Sequence, residues 1–184
     1  MKKNILERYS RMPDGQYVID ITAGKVSDLY NDFDKNTPYV RKELDQDLVE
    51  YITESARDLV REPFTIQFNL IDPADDAMKS RIVKSINSYF LYLKTIEITE
   101  LERIMRISMI YFIVGIAMLF TTVWVNEKLT ADSSVISEVF AMGLTVAAWV
   151  ALWESLATLL INWTPYSRQI KMYERIAEAP VCFV

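Results

Sequence analysis

The sequence contains an uncharged stretch of 19 residues, Ile107-Ser-Met-Ile-Tyr-Phe-Ile-Val-Gly-Ile-Ala-Met-Leu-Phe-Thr-Thr-Val-Trp-Val125. A helix needs roughly 20 apolar residues to cross a hydrocarbon core of about 30 Å, because each residue advances the helix by about 1.5 Å. A chain of 184 residues is too short to enclose such a helix, which has no polar face, inside a soluble core. The stretch therefore predicts a transmembrane helix.

A second apolar stretch, Val139–Trp163, contains one charged residue, Glu154. The polar segment Asn126–Glu138 lies between the two stretches. So short a connection predicts antiparallel neighbouring helices. We therefore expect a transmembrane hairpin over residues 101–165, with spans of about 107–125 and 139–163 and the lipid bilayer as its partner.

Basic residues beside the apolar stretches predict the orientation of the hairpin, because Lys and Arg resist translocation more than acidic residues do. The connection between the spans carries only Lys128. The flanks that lead to the two chain ends carry six basic residues: Lys94, Arg103, Arg106, Arg168, Lys171 and Arg175. We expect both termini in the cytoplasm and a multi-pass location in the cell (plasma or inner) membrane.

The first hundred residues have the patterns of a small α+β domain. Tyr17–Thr22 and Phe64–Leu70 alternate between apolar and polar residues, as half-buried strands do. Asp45–Arg61 has apolar residues at helical spacing and predicts an amphipathic helix between the strands. A strand, helix and strand in this order normally form a right-handed parallel unit. Residues 1–100 are thus expected to form a β-α-β cytoplasmic domain.

A long helix is expected to run from this domain into the first span. Asp72 as N-cap, with Pro73 and Asp75 in the first turn, predicts its start. No Gly or Pro occurs from Ala74 to Val114, so nothing obligatory stops it before the membrane.

The last residues are expected to return to the cytoplasmic domain. Pro165 predicts a break after the second span. Residues 166–184 then form a cytoplasmic tail, and its apolar end, Val181-Cys-Phe-Val184, predicts a short strand on the sheet. The predicted fold class is an α+β membrane protein.

Composition excludes several classes of function. The chain has no histidine and one cysteine, Cys182, so the usual zinc sites, disulfide frameworks and Cys–His or Ser–His–Asp catalysis lack their residues. The formal net charge is −5, and no basic stripe suited to phosphate backbones occurs. We expect no nucleic-acid partner, no cofactor and no enzyme activity.

Glu154 is the most conspicuous single residue, because a carboxylate at membrane depth costs at least about 2.5 kcal/mol and is a functional hypothesis by default. One interpretation is a structural ion pair with Arg103 or Arg106. The other is a role in handling ions or protons, with Ser155 and Asn162 nearby in the sequence.

Small residues recur every four positions along the second span: Gly143, Ala147, Ala151 and Ser155. Such a face lets helices approach closely in lipid. It seats either the first span of the same chain or a second copy, and the sequence leaves a homo-oligomer open.

Two acidic patterns in the N-terminal part resemble metal sites. Asp32, Asp34, Asn36 and Glu43 have the spacing of calcium ligands, but Thr37 replaces the turn glycine. A solvated loop with an Asx turn is the alternative explanation. Asp45 and Asp47 form a carboxylate pair, for which capping of the following helix is the better explanation.

Several stretches together resemble an uncharacterised family of small prokaryotic two-span membrane proteins with an N-terminal cytoplasmic domain. They are Tyr30-Asn31, Asp34, Pro38-Tyr39, Arg41-x-x-Leu44-Asp45-x-Asp47, Tyr51-Ile52, Phe64–Leu70, Tyr89-Phe90, Trp149-Val-Ala-Leu-Trp153 and Tyr173-Glu-Arg-Ile176. The resemblance implies the same two-span plan and no catalytic residue.

The function expected from these features is that of a non-enzymatic, membrane-anchored accessory or scaffold protein that presents its cytoplasmic domain to an unknown protein partner. The alternatives are an oligomeric subunit that conducts or transports ions or protons through Glu154, and a membrane-bound sensor of a ligand or cation.

Overall fold

The computed structural model describes residues 6–34, 37–59, 62–129 and 135–184. The chain divides into two units, which are residues 1–96 with 169–184 and residues 97–168. The first unit is a mixed α/β structure with a four-stranded sheet, and the second consists of helical segments. The small sheet, its covering helices and the two long apolar helices agree with the mixed α and β fold expected from the sequence.

The sheet of the first unit has the strand order β1-β2-β3-β4. β1 is antiparallel to β2, whereas β2–β3 and β3–β4 are parallel. The predicted parallel pairing is confirmed, since Tyr17 aligns with Phe64 and Ala23 with Leu70. The strands are β1 (Ser10–Arg11), β2 (Tyr17–Ala23), β3 (Phe64–Leu70) and β4 (Val181–Phe183).

Gly15 makes the tight connection between β1 and β2. Its φ is +88°, a left-handed conformation that a residue without Cβ adopts at little cost. The Gly15 N–H donates to the Met12 carbonyl (2.9 Å), and the Met12 N–H donates to the Gln16 carbonyl (2.8 Å).

Helix α1 (Gln46–Asp58) connects β2 to β3 and starts where the sequence predicts. Asp45 is its N-cap, and its carboxylate accepts from the backbone N–H groups of Asp47 and Leu48. These two donors have no partner within the helix, so the cap satisfies them. Capping as the role of Asp45 is confirmed.

One apolar core holds the first unit together. β2 and β3 contribute alternate residues, of which Ile19, Ile66 and Phe68 are fully buried. The helices cover this face of the sheet with Ile52 and Ala56 from α1; Ile82, Ile86 and Phe90 from α2 (Asp76–Leu129); and Ile176 from α4 (Trp163–Glu178).

Helix α2 begins later than the sequence predicts. Asp72 is not its N-cap, because the parallel pairing continues beyond β3 and the Asp72 N–H donates to the Gly24 carbonyl at 3.0 Å. Asp75 takes this role instead, with its carboxylate accepting from the Met78 N–H at 2.7 Å. The helix then continues to Leu129, which confirms one long helix.

The helices of the second unit extend further than expected. Residues 126–129 still belong to α2, and α3 (Val135–Ala157) includes Glu138. Residues 126–129 and 135–138 of the polar segment Asn126–Glu138 are therefore helical, and residues 130–134 lie outside the described ranges.

Pro165 does not break the helix. A π-helical turn at Thr158–Asn162 follows α3, and α4 continues through Pro165. Proline lacks an N–H group and crowds the carbonyl four residues earlier. The wider turn immediately before Pro165 relieves this conflict, so the helical backbone runs on.

Two described helical segments, Asp76–Val125 and Glu138–Glu178, are long and apolar enough to cross a membrane. In the most apolar 18-residue stretch of each segment, only 17% is buried within the chain. They are therefore unlike the core helices of a soluble protein, which are mostly enclosed.

The chain end returns to the sheet, as expected. β4 pairs with β3 in the register Ile66 to Val181 and Phe68 to Phe183. Arg175 on α4 fastens this return, since its guanidinium donates to the carbonyls of Leu59 and Glu62 at 2.9 Å each.

We expect Asp45→Ala to weaken the start of α1 by about 1 kcal/mol, because two backbone donors lose their acceptor. Hydrogen exchange of the first α1 amides, measured by mass spectrometry, should accelerate roughly fivefold. Asp45→Asn retains a capping oxygen and serves as the control. Equal exchange in wild type and Asp45→Ala would contradict this role.

Candidate functional site

A pair of serines forms the polar centre of the second unit. The Ser108 hydroxyl on α2 donates to the Ser155 carbonyl on α3 at 3.1 Å, and the two hydroxyl oxygens are 3.2 Å apart. Both side chains are fully buried. In an apolar contact an unpaired hydroxyl is costly, so the pair fixes how α2 and α3 align.

Gly115 lies at a close approach between the same two helices. A Cβ atom built on Gly115 would lie 2.9 Å from Cγ of Leu152 and 3.2 Å from the backbone oxygen of Ala148. Real Cβ atoms rarely come so near to backbone, so a side chain at this position would push the helices apart. Ala148 has no exposed surface, in agreement with tight packing.

The small residues singled out in the sequence do not all face α2. Ser155 is buried and Ala151 is half-buried, whereas Gly143 and Ala147 are exposed. A Cβ atom on Gly143 would meet nothing within 4 Å. The contact follows a seven-residue spacing instead, with Ala141, Ala148 and Ser155 buried.

The charged candidates are not brought together. Glu154 is exposed, and no described residue lies within hydrogen-bond or ion-pair distance of its carboxylate. Arg103 pairs with Glu100 one turn earlier on α2, and Arg106 is exposed. Asn162 donates to the Thr158 hydroxyl at 3.4 Å, within the same helical run.

The acidic loop of the first unit is organised around backbone groups. The Asp34 carboxylate accepts from the Glu43 N–H at 2.8 Å. The Thr37 hydroxyl and this N–H lower the pKa of Asp34. Asn31 forms the Asx turn, with its side-chain oxygen accepting from the Phe33 N–H.

The possible calcium ligands do not form a described cluster. Asn36 lies outside the described residues, and Asp32 and Glu43 belong to no described group of three or more potential metal ligands. The hydrogen bonds of Asp34 and Asn31 give the acidic spacing a structural explanation.

Sequence reasoning missed Ser108 and Gly115. A signal was present on α3, because residues 141, 148 and 155 are small and seven apart, the spacing of one helix face in a pair. The same signal was present on α2, because Ser108, Gly115 and Thr122 are also small, seven residues apart and buried.

No protein-family model, curated protein or solved structure matches the chain significantly.

We expect a Ser108→Cys/Ser155→Cys variant, in a Cys182→Ser background, to form an intramolecular disulfide on mild oxidation, because the paired oxygens lie 3.2 Å apart. Mobility on non-reducing gels would report it. Ser108→Cys/Ala147→Cys is the matched control and should stay reduced. Equal crosslinking of both pairs would refute the register.

Gly115→Val and Gly143→Val form a second matched pair, since only the first introduces a side chain into occupied space. Overpacking of this kind costs about 1–3 kcal/mol. Gly115→Val should slow disulfide formation between positions 108 and 155 at least fivefold, and Gly143→Val should leave it unchanged. Slower disulfide formation in Gly143→Val than in Gly115→Val would show that α3 presents its other face to α2.

Proposed function

We propose that the chain is a membrane-anchored accessory or scaffold protein that presents its α/β unit to a protein partner in the cytoplasm. In this proposal the second unit spans the cell membrane twice, and both termini lie inside. The proposed plan is that of the prokaryotic two-span family that the sequence resembles.

The exposed apolar surface of the second unit carries this proposal. Soluble monomers rarely expose contiguous apolar patches above a few hundred Å², and such a surface suits lipid. Its large exposed side chains include Phe112, Ile113, Phe120, Val146, Trp149, Val150 and Trp153.

The chemistry of the side chains favours a binding role. With no histidine and one cysteine in 184 residues, carboxylates are the main groups left for acid–base catalysis, and Asp34 and Asp45 are engaged with backbone amides. The surface of the first unit is thus better suited to recognition than to a reaction.

The contact between Ser108 and Ser155 indicates how deep Glu154 lies in the proposed membrane span. In antiparallel neighbours that meet at these serines, Glu154 lies level with residue 109, about 3 Å inside the start of the apolar stretch at Ile107. A carboxylate so near the proposed cytoplasmic boundary reaches the headgroups by snorkelling. This favours an anchor over a conducting path, which would need the carboxylate to act at membrane depth.

A photoreactive amino acid at exposed positions tests the accessory role in cells. Phe33 is 98% exposed in the first unit, and Val146 is 62% exposed on the second. We expect the probe at Phe33 to crosslink one discrete protein, and the probe at Val146 to give chiefly lipid adducts. Recovery of the full-length chain from the cytosol after high-speed centrifugation would contradict the anchor.

Conduction is tested separately with the purified chain in liposomes. Wild type and Glu154→Gln should both leave a pH gradient intact. Proton flux in wild type that is abolished in Glu154→Gln would favour the conducting alternative. Self-association through Gly143 and Ala147 stays a prediction of the sequence.

A further inference from the structure

A groove lies on the first unit between a loop and α2. One wall consists of Arg41, Lys42 and Glu43, at the end of a 3₁₀ turn (Tyr39–Arg41). The other consists of Ser88, Tyr89 and Tyr92, which lie within about one turn of α2. The groove has a volume of about 370 Å³, and Tyr92 is 58% exposed.

The loop wall is held in place by its own backbone. The Asn31 N–H donates to the Glu43 carbonyl, and the Asp45 N–H donates to the Leu29 carbonyl, each at 3.0 Å. Tyr30 and Leu44 form an isolated antiparallel bridge. A wall fixed in this way loses little entropy when it binds.

Lys42 is positioned by two aromatic rings. Its ammonium lies 5.1 Å from the ring centre of Tyr30 and 5.2 Å from that of Tyr39. These rings contact each other edge to face. The cation–π contacts hold the ammonium in place without neutralising it.

Arg41 and Lys42 make the loop wall positively charged. Among the described residues neither forms an ion pair, although the charge of Lys42 contributes to the lowered pKa of Asp34. The Glu43 carboxylate is engaged by the Asn31 side-chain amide at 3.3 Å. In a chain of net charge −5, these two cations mark a place where a negative group is favoured.

The helix wall adds hydrogen-bond donors and aromatic surface. The ring centres of Tyr89 and Tyr92 are 6.3 Å apart. A tyrosine hydroxyl is a hydrogen-bond donor at neutral pH, and burial, followed by the charge of Glu43, raises the pKa of Tyr89. Tyr and Arg are the residues that most often anchor protein interfaces.

Two buried hydroxyls adjoin the groove residues. Tyr30 lies beneath the Lys42 ammonium, and Ser85 precedes Ser88 by one turn of α2. The Tyr30 hydroxyl interacts with that of Ser85, and burial raises the pKa of Tyr30. The two hydroxyls therefore stabilise the floor beside the groove rather than offering groups to a ligand.

We propose that this groove binds an extended acidic segment of the protein partner, with Arg41 and Lys42 contacting its carboxylates and the two tyrosines contacting its apolar side chains. The proposal rests on the accessory function proposed above. A peptide fits better than a small molecule, because small-molecule sites bury 70–90% of their ligand and this groove has exposed residues on both walls.

The binding test uses the full-length chain in nanodiscs of phosphatidylcholine, a lipid without net charge. The probe is a fluorescent peptide of sequence Glu-Glu-Leu-Glu-Glu-Leu, and its control has Gln at every Glu position. We expect saturable binding of the acidic peptide, at least tenfold weaker binding of the Gln peptide, and weakening of the acidic complex by 0.5 M salt.

Point substitutions test whether the acidic peptide binds in the groove. Arg41→Glu should weaken binding of the acidic peptide at least tenfold, and Tyr92→Ala should weaken its binding severalfold. Lys84→Glu is the matched control, since Lys84 is an exposed cation on α2 outside the groove, and it should have no effect. Equal loss in Arg41→Glu and Lys84→Glu would overturn the proposal, as would full competition by millimolar inorganic phosphate.

Crosslinking in cells separates the two proposals. A photoreactive residue at position 92 should capture the protein that Phe33 captures, through a segment with several Asp or Glu residues. Capture at position 33 but not at 92, or through a basic segment at 92, would overturn the groove and leave the accessory function standing. Capture at neither position would overturn both.

Discussion

Helix α2 meets two different packing requirements along one unbroken backbone, and the structure of both units depends on it. In the first unit it presents large apolar side chains, Ile82, Ile86 and Phe90, to a sheet. In the second it presents Ser108 and Gly115 to another helix. A sheet face leaves space that large side chains fill, whereas two helices gain contact when small residues let their backbones approach.

The continuous helical segment from α3 through α4 accommodates a proline. Pro165 removes one hydrogen bond and crowds one carbonyl, yet the chain stays helical from Val135 to Glu178 because a π turn absorbs the conflict. Continuity matters, since the same run includes Ser155 in one unit and Arg175 in the other. Arg175 fastens the segment before β4 to the carbonyls of Leu59 and Glu62.

The loop from Tyr30 to Asp45 shows how one pattern of charges divides between structure and recognition. Asp34 and Asp45 satisfy backbone N–H groups, which accounts for acidic residues that resemble metal ligands in the sequence. Arg41 and Lys42 make no such bonds among the described residues. Carboxylates accept from free backbone amides, whereas Arg and Lys side chains can only donate, and in the proposal above they contact the ligand.

The sequence by itself determined the strands at Tyr17–Thr22 and Phe64–Leu70, the capped start of α1, the continuity of α2 from the first unit into the second, and the return of β4. These features depend on periodicity, capping residues and the lack of helix breakers, which are properties of adjacent residues. Only the tertiary structure decided that Asp75 rather than Asp72 caps α2, that Pro165 is accommodated, and that Gly115 rather than Gly143 lies at the helix contact. It also decided that Arg41 and Tyr92 face one groove. The cap of α2, the helix contact and the groove depend on residues that are far apart in the sequence, and Pro165 is accommodated by the π turn that precedes it.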